Sequence, residues 1–193
     1  MESPIKLLKG NDTFTGSGSA DKLNSFAGND VVEARGGADV VLGGDGADRL
    51  FGEGGDDDVR GGAGSDVISG GEGLNLLTGN AGKDSFLFDA PLTGGNAPFK
   101  QGNTSTITDF TVGTDIIQLD RSVFKDIGPK GNLPRSSFSD YSDSTGAIRD
   151  HSIIYDKASG EIWYSKNGSV VDAVLFARVG VGTELTQKDF LIV

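Results

Sequence analysis

The chain has 193 residues, a formal net charge of −11 and no cysteine. This length suits one domain or two small ones, and the absence of thiols excludes both a disulfide framework and a thiolate zinc site. Residues 1–90 contain 16 of the 28 acidic residues and 7 of the 17 Lys and Arg, a balance of −9 in this half alone. Such a field repels nucleic acid and anionic membrane surfaces, so cations are the expected partners.

The N-terminus, MESPIKLLKGND, contains no apolar stretch long enough for a secretory signal. No later segment approaches the length of a membrane-spanning helix. We therefore expect no membrane span and no nucleic-acid partner. The chain should be soluble, and either cytosolic or exported by a route that leaves no N-terminal signal.

An internal repeat organises residues 7–87. Written in nines from Leu7, the chain keeps one register through nine repeats without a gap. The sixth position is Asp in all repeats but one and reads Asp12, Asp21, Asp30, Asp39, Asp48, Asp57, Asp66, Asn75 and Asp84. The eighth position is always apolar and reads Phe14, Leu23, Val32, Val41, Leu50, Val59, Ile68, Leu77 and Phe86. Only 22 of the 193 residues are Asp, so chance does not produce the first column.

Each nonapeptide predicts a tight, glycine-permitted loop of six residues followed by a three-residue strand whose central side chain points inward. Two repeats would complete one turn of a right-handed parallel coil, so strands of alternate repeats would stack into two facing sheets. The sixth-position carboxylates of alternate repeats would then lie close together, an arrangement that is repulsive unless a cation sits between successive loops. The alternative, a disordered glycine-rich linker, is disfavoured by nine repeats in unbroken register.

Two repeats carry a family resemblance. GGDGADRLF (43–51) and GGAGSDVIS (61–69) match the GGxGxDxUx nonapeptide of the RTX, or haemolysin-type calcium-binding, repeats at every specified position. The resemblance implies that calcium lies between the loops of repeats n and n+2, bound by the sixth-position side chains and by backbone carbonyls of the turns. The turn residues implied by the two matching repeats are Gly43, Gly44, Gly46, Gly61, Gly62 and Gly64.

The number of ions follows from the number of gaps. Five odd repeats offer four gaps and four even repeats offer three, so at most about seven calcium ions are expected. The gaps nearest Asn75 and the first two repeats should be weaker, because Asn75 lacks the charge and LLKGND and GSGSAD lack several glycines. Asp45, Asp56 and Asp58 fall outside the sixth-position column and are expected to be solvated rather than ligating.

Beyond Phe88 the glycine period stops, and residues 88–193 predict a C-terminal antiparallel β region that caps the roll. TSTITDFTVGTDIIQLD (104–120) predicts two short strands around a turn at Gly113, and it resembles the segment that follows the repeats in many RTX proteins and in serralysin-like proteases. IIYDKASGEIWYS (153–165) predicts a hairpin, in which one of Trp163 and Tyr164 is core and the other exposed.

The end of the chain has two compatible interpretations. AVLFARV (173–179) and LTQKDFLIV (185–193) resemble the closing segment of RTX proteins exported by type I secretion. DFLIV could be the last strand of the cap, and it also resembles the uncleaved signal read by type I exporters. A chain of this kind would stay unfolded at the low calcium of a cytosol and fold in millimolar calcium outside the cell.

Catalytic motifs are missing from the sequence. His151 is the only histidine, so the HExxH zinc site cannot exist, and neither GxSxG nor GxxxxGK[ST] occurs. We expect His151 to be a surface or turn residue rather than a catalytic one.

The expected fold is therefore all-β: a right-handed parallel β-roll over residues 7–87 capped by the antiparallel region over 88–193. The expected function is that of a secreted, non-catalytic calcium-binding protein, whose outer surface could meet a polysaccharide or a host cell. The alternative is the C-terminal folding and export domain of a larger secreted protease, lipase or polysaccharide epimerase. A start at Met1, directly before the repeats, favours the first.

Overall fold

The computed structural model describes residues 9–92, 103–141, 149–169 and 172–193, and these ranges are almost entirely β-structure and turns. The strands form two sheets that face each other across a hydrophobic core. In the ranges that the structure describes, no helix is long and apolar enough to cross a membrane.

The nine repeats each supply one strand. These are β1 (Thr13–Thr15), β2 (Lys22–Asn24), β3 (Val31–Glu33), β4 (Val40–Asp45), β5 (Arg49–Phe51), β6 (Asp58–Ala63), β7 (Val67–Ser69), β8 (Leu74–Ala81) and β9 (Ser85–Phe88). Strands of odd repeats pair in parallel in one sheet, and strands of even repeats pair in parallel in the other. The register advances by two repeats at each step, as when Val32 pairs with Leu50 and Leu50 with Ile68. The predicted parallel β-roll is confirmed.

One apolar side chain per repeat fills the space between the sheets. The eighth-position residues of repeats three to nine are fully buried: Val32, Val41, Leu50, Val59, Ile68, Leu77 and Phe86. Phe14 and Leu23 in the first two repeats are only partly buried, because β1 and β2 lie at the ends of the two sheets. Ala34 is the one further buried apolar side chain among the described residues of the repeats, so the hydrophobic core of the roll is narrow.

The described residues of the C-terminal region add eight strands and two short 3₁₀ turns. The strands are β10 (Thr104–Ile107), β11 (Ile116–Leu119), β12 (Gly131–Asn132), β13 (Phe138–Asp140), β14 (Ser152–Asp156), β15 (Glu161–Ser165), β16 (Val174–Arg178) and β17 (Phe190–Ile192), and the turns are Arg135–Ser137 and Gln187–Asp189. β10 pairs in parallel with β8, and β11 pairs in parallel with β9. Both sheets thus run without a break from the repeats into this region.

The C-terminal region is not purely antiparallel as predicted, because β10 with β16, β11 with β17 and β13 with β14 pair in parallel. Its antiparallel pairs lie farther along the sheets. β14 and β15 form the predicted hairpin, β16 joins it antiparallel to β15, and β12 pairs antiparallel with β17. Tyr164 is fully buried and Trp163 is half-buried, as the alternation along β15 predicts. β17, the last strand of the chain, lies between β11 and β12, and its Phe190 and Ile192 are buried.

A cluster of aromatic side chains lies in the core of the cap. The rings of Phe124 and Phe176 lie 4.9 Å apart between centroids, those of Phe124 and Tyr164 lie 5.3 Å apart, and those of Phe88 and Phe176 lie 5.1 Å apart. All three pairs meet edge to face, the geometry in which aromatic quadrupoles attract. The Tyr164 hydroxyl donates a hydrogen bond to the Lys125 carbonyl. Apolar burial thus increases sharply beyond the last repeat.

Candidate metal sites between the repeat turns

The sixth-position side chains form two columns, one for each sheet, and in repeats three to nine one oxygen of each side chain has a fixed structural role. Its Oδ1 atom accepts the backbone N–H of the column residue two repeats earlier, at 2.7 to 3.0 Å. In the odd column the donors and acceptors follow the order Asp12, Asp30, Asp48, Asp66, Asp84, and in the even column Asp21, Asp39, Asp57, Asn75. We call this series of hydrogen bonds the ladder, and it fixes the orientation of each accepting side chain.

The second oxygen, Oδ2, has no hydrogen-bond partner in five of these residues. It is buried and unpaired in Asp30, Asp39, Asp48, Asp57 and Asp66, which are themselves only 1–2% exposed. A buried carboxylate oxygen without a donor or a counter-charge is strongly unfavourable. These five atoms therefore require a positive partner that none of the described residues supplies.

The space beside Oδ2 of Asp48, Asp57 and Asp66 is bordered by the glycine at the first position of the same repeat. A Cβ on Gly43 would lie 2.6 Å from Asp48 Oδ2 and 2.5 Å from the carbonyl oxygen of Gly61, two repeats further on. A Cβ on Gly61 would lie 2.3 Å from Asp66 Oδ2 and 2.8 Å from the Gly79 carbonyl oxygen. A carboxylate oxygen and a carbonyl oxygen thus border one space that only glycine leaves open. We call this space the slot of its repeat.

The other predicted turn glycines are needed for the turn itself. Gly44, Gly46, Gly62 and Gly64 have φ angles of 108°, 135°, 122° and 140°, values that L-residues rarely adopt. A Cβ on Gly64 would also lie 1.9 Å from the Gly46 carbonyl oxygen, so successive turns are stacked in backbone contact. Close stacking brings the backbone oxygens of neighbouring turns towards the slots.

The carboxylates of the central slots resist ionisation. Burial raises the pKa of Asp57 and Asp66 to about 6. The N–H bonds from Asp39 and Asp48 oppose this shift, and the negative charges of column neighbours add to it. Burial also raises the pKa of Asp48 and of Asp84. A bound cation would remove this penalty, because it favours the charged form.

The donor set indicates the class of metal. Among the residues that the structure describes, no three His, Cys, Asp or Glu side chains form a cluster that could hold a metal. A cation in a slot would therefore depend on one or two carboxylates together with backbone carbonyls. Oxygen-only coordination rich in carbonyls suits Ca²⁺, whereas zinc and copper favour nitrogen and sulfur. The slots fit calcium.

The remaining column residues do not have a buried, unpartnered Oδ2 atom. Asp84 is buried, whereas Asp12 and Asp21 in the first two repeats are partly exposed. The N–H and hydroxyl of Ser17 hold the pKa of Asp21 below its usual value. Asn75 is 3% exposed, and its Oδ1 takes part in the same ladder as the aspartates.

The three off-column aspartates have separate environments. Asp45 is exposed, and no part of the described chain donates a hydrogen bond to its side chain. Asp58 forms an ion pair with Arg60 at 2.6 Å on the outer face of the sheet. Asp56 is exposed but not merely solvated as expected, because its Oδ1 accepts the Leu74 N–H at 2.8 Å. None of the three is one of the buried, unpartnered carboxylates.

Two cap aspartates that the repeat count missed complete the end of the roll. Asp115 Oδ1 accepts the Asp84 N–H at 3.0 Å, so the odd column continues into β11. Asp109 accepts the N–H groups of Gly79 and Asn80 at 2.9 and 2.7 Å, which closes the last turn of the repeats. The signal for Asp115 was present in the sequence, since it lies two residues before the buried Ile117, as position six lies before position eight.

Comparison with known proteins gives a family match over the repeats. The RTX calcium-binding nonapeptide repeat matches in four overlapping copies, at residues 8–41, 24–59, 33–68 and 60–90. No curated protein matches the chain significantly.

Two solved structures from Azotobacter vinelandii are similar over most of this chain. The AlgE6R3 subunit of its mannuronan C5-epimerase is 19% identical over 98% of this chain and 82% of that one, with a TM-score of 0.30. The AlgE6R2 subunit is 17% identical over 93% of this chain and 91% of that one, with a TM-score of 0.38.

Proposed function

Because the repeat region of this chain, residues 8–90, belongs to the RTX calcium-binding nonapeptide-repeat family, we propose that the chain is a secreted, non-catalytic protein whose roll folds on binding extracellular calcium. The observation that carries the proposal is the set of five buried Oδ2 atoms without a hydrogen-bond partner among the described residues. Each lies in a carboxylate whose other oxygen is already committed to a backbone N–H of the ladder. What each of these carboxylates lacks is a positive partner beside its second oxygen.

The central slots are the best formed. Those of Asp48, Asp57 and Asp66 combine an unpartnered oxygen with a first-position glycine whose Cβ would collide with that oxygen. The slots of Asp30 and Asp39 have Ser25 and Ala34 at the first position instead. The Ser25 hydroxyl donates to the Gly43 carbonyl at 2.6 Å, so one backbone oxygen there is already bonded. We infer that calcium binds most tightly in the three glycine-bordered slots.

Calcium, when bound, would supply the counter-charge that lets these carboxylates be buried in ionised form. Without it, the roll has one core residue per repeat, two columns of like charge and glycine-rich turns that lose much entropy on ordering. These terms oppose folding at the low calcium of a cytosol and are overcome at the millimolar calcium outside a cell. The roll is thus suited to remain unfolded until it leaves the cell.

A calcium titration of the whole chain tests this proposal. Circular dichroism and small-angle scattering should show an increase in β-structure and compactness as calcium rises from excess chelator to millimolar concentration. Magnesium at the same ionic strength should substitute poorly, because it prefers a smaller octahedral site that keeps its waters. Full β-structure and compactness in chelator would contradict the proposal.

Export through the C-terminus is a second part of the proposal. In the folded state β17 is an inner strand of its sheet and Asp189 is 4% exposed, so a signal in this segment would have to act before the cap folds. Deleting residues 189–193 should abolish secretion from a host with a type I exporter. Phe124→Ala is the matched control, since it damages the cap core without altering the terminus. Secretion of the truncated chain, or equal loss with both variants, would refute the signal.

A further inference from the structure

Asn75 is the one residue of the two repeat columns that is not an aspartate. It is 3% exposed, and its place in the roll is equivalent to that of the aspartates. The Asp57 N–H donates to Asn75 Oδ1 at 3.0 Å, just as the Asp39 N–H donates to Asp57 Oδ1 at 2.9 Å. The ladder therefore passes through repeat eight unchanged.

The ladder also fixes the orientation of the Asn75 amide. A backbone N–H can only donate, so the atom facing Asp57 must be the amide oxygen and the NH₂ group must occupy the opposite side. There the Nδ2 atom lies 3.4 Å from the Gly71 carbonyl oxygen. A Cβ on Gly70 would lie 2.5 Å from Asn75 Nδ2, and a Cβ on Gly52 would lie 2.4 Å from Asp57 Oδ2. The NH₂ group thus occupies the place that the unpartnered oxygen has in other repeats.

This exchange reverses the chemistry of the slot. Oδ2 of an aspartate is a negative acceptor that attracts a cation, whereas an amide NH₂ is a neutral donor that cannot ligate one. The group also directs its hydrogens towards a turn carbonyl. We propose that Asn75 closes the slot of repeat eight, so that no calcium ion binds there and the even column ends with Asp57. This inference rests on the proposed calcium binding and specifies where it stops.

Protein donors also fill the equivalent place at both ends of the roll. Asp21 Oδ2 accepts the Ser17 N–H at 2.6 Å and the Ser17 hydroxyl at 2.8 Å. Asp115 Oδ2 accepts the Thr111 N–H at 2.8 Å. Asp21, Asn75 and Asp115 thus have a donor group at this place. In the five repeats of Asp30, Asp39, Asp48, Asp57 and Asp66 the same place holds an unpartnered oxygen, and we call these the open slots. The open slots form a central belt between them.

Asn75→Asp tests the inference as a gain of binding. The variant restores a carboxylate oxygen in the slot, and we expect about one additional calcium ion per chain by equilibrium dialysis or calorimetry at fixed ionic strength. In excess chelator the variant should be less folded than the parent chain, because it adds a buried oxygen without a partner. Asn29→Asp is the control: Asn29 is exposed at the fifth position, its Oδ1 accepts the Ala47 N–H at 2.8 Å, and the charge change is the same. It should add no ion.

Asn75→Ala provides the complementary test. It should bind as many ions as the parent chain, because the closed slot holds none. A lost ion in Asn75→Ala would show that Asn75 is a ligand, and unchanged stoichiometry in Asn75→Asp would show that the slot cannot accept an ion; either result overturns the inference. If the parent chain itself binds no calcium, the proposed function fails instead. The two failures are therefore distinguishable.

Discussion

The repeats and the cap both bury aspartates, but they differ in whether both oxygens of the carboxylate have hydrogen-bond partners. In the roll, Asp48 and Asp66 each leave one buried oxygen without a partner. In the cap, Asp115 accepts backbone N–H groups with both oxygens. Asp189 accepts the Gly113 N–H with one oxygen and the N–H and hydroxyl of Thr186 with the other. The same residue type thus creates a requirement for a cation in one region and a self-contained turn in the other.

The two regions also differ in apolar burial. The roll buries one aliphatic or aromatic side chain per nonapeptide, whereas the cap has a cluster of aromatic rings around Phe124. Hydrophobic burial grows with the apolar area removed from water, so the cap has much more of it per residue. The comparison predicts that calcium controls the folding of the roll and has little direct effect on the cap.

Asp66→Asn should give the largest change, because it converts an open slot into one like that of Asn75. The variant keeps the Oδ1 acceptor for the Asp48 N–H but removes the charged oxygen. We expect the calcium affinity of this slot to fall roughly tenfold or more, as is usual when metal coordination is perturbed. In chelator, by contrast, the variant should be at least as stable as the parent chain, because it no longer buries an unpartnered charge.

Asp45→Asn is the matched control for that prediction, because it makes the same charge change at an exposed aspartate outside the columns. Calcium titrations, and the folded fraction in chelator followed by circular dichroism, should be compared between the two variants at one ionic strength. Equal shifts in the two would mean that calcium responds to net charge and that the column assignment is wrong.

Gly61→Ala should show that the slot depends on space as well as charge. The new Cβ would meet Asp66 Oδ2 and the Gly79 carbonyl oxygen well inside contact distance, and the backbone there is tightly stacked. Overpacking of this kind typically costs about 1–3 kcal/mol, and here it also obstructs the slot. Calcium affinity and the free energy of unfolding with calcium should both decrease.

Gly54→Ala is the control for Gly61→Ala, because its nearest neighbour would be the Arg35 carbonyl oxygen at 3.6 Å, an ordinary contact. Isothermal calorimetry and urea unfolding would compare the two variants. A loss of calcium affinity in Gly54→Ala as large as in Gly61→Ala would contradict a role for the first-position glycine in the slot.

As pH falls, the free energy of unfolding without calcium and the calcium affinity should change in opposite directions. In the metal-free fold the pKa values of Asp57 and Asp66 are raised to about 6. Between about pH 6 and pH 4 these carboxyls therefore bind more protons in the folded state than in the unfolded state. The free energy of unfolding without calcium should therefore rise as pH falls through this window. Calcium affinity should fall over the same window, because protons compete for the same oxygens. Calcium titrations, and the folded fraction in chelator followed by circular dichroism, at pH 7.5 and 5.5 would reveal both trends, and parallel trends would contradict this account.

Glu53→Gly should give a small stabilisation of the roll. Glu53 is exposed at a second position with a φ of 67°, a left-handed conformation that glycine adopts without strain. Glu53→Ala removes the same charge but keeps the strain, so it is the matched control. In saturating calcium, we expect the free energy of unfolding of Glu53→Gly to exceed that of Glu53→Ala by about 1 kcal/mol. Equal stability would show that these turns are not strained at the second position.

The sequence predicted the roll well because its rules are local and periodic. The eighth-position column identified core residues such as Leu50 and Ile68. The sixth-position column identified Asp48 and Asp66, which the structure buries with one carboxylate oxygen unpartnered. The sequence also predicted weaker gaps near Asn75 and in the first two repeats, but it could not show which donor faces each Oδ2. Ser17 beside Asp21 is an example, since a hydroxyl four residues away has no meaning until the turn is built.

The cap was less predictable because its pairings are distant in the chain. The hairpin of β14 and β15 was recognisable from its alternation and turn. Nothing local indicates that β17 pairs with β11, where Phe190 lies opposite Ile117. The continuation of the roll into β10 and β11 was hidden by the interruption of the nine-residue count after Leu87.

Hydrogen exchange resolved along the chain, with and without calcium, tests the central claim most directly. The amides of β3 to β9 should exchange slowly in millimolar calcium and rapidly in excess chelator. The amides of β14, β15 and β16 should remain protected in both conditions, because their core and their buried polar groups are satisfied by the protein itself. Protection of β3 to β9 that is unchanged by chelator would contradict the claim that calcium completes the roll.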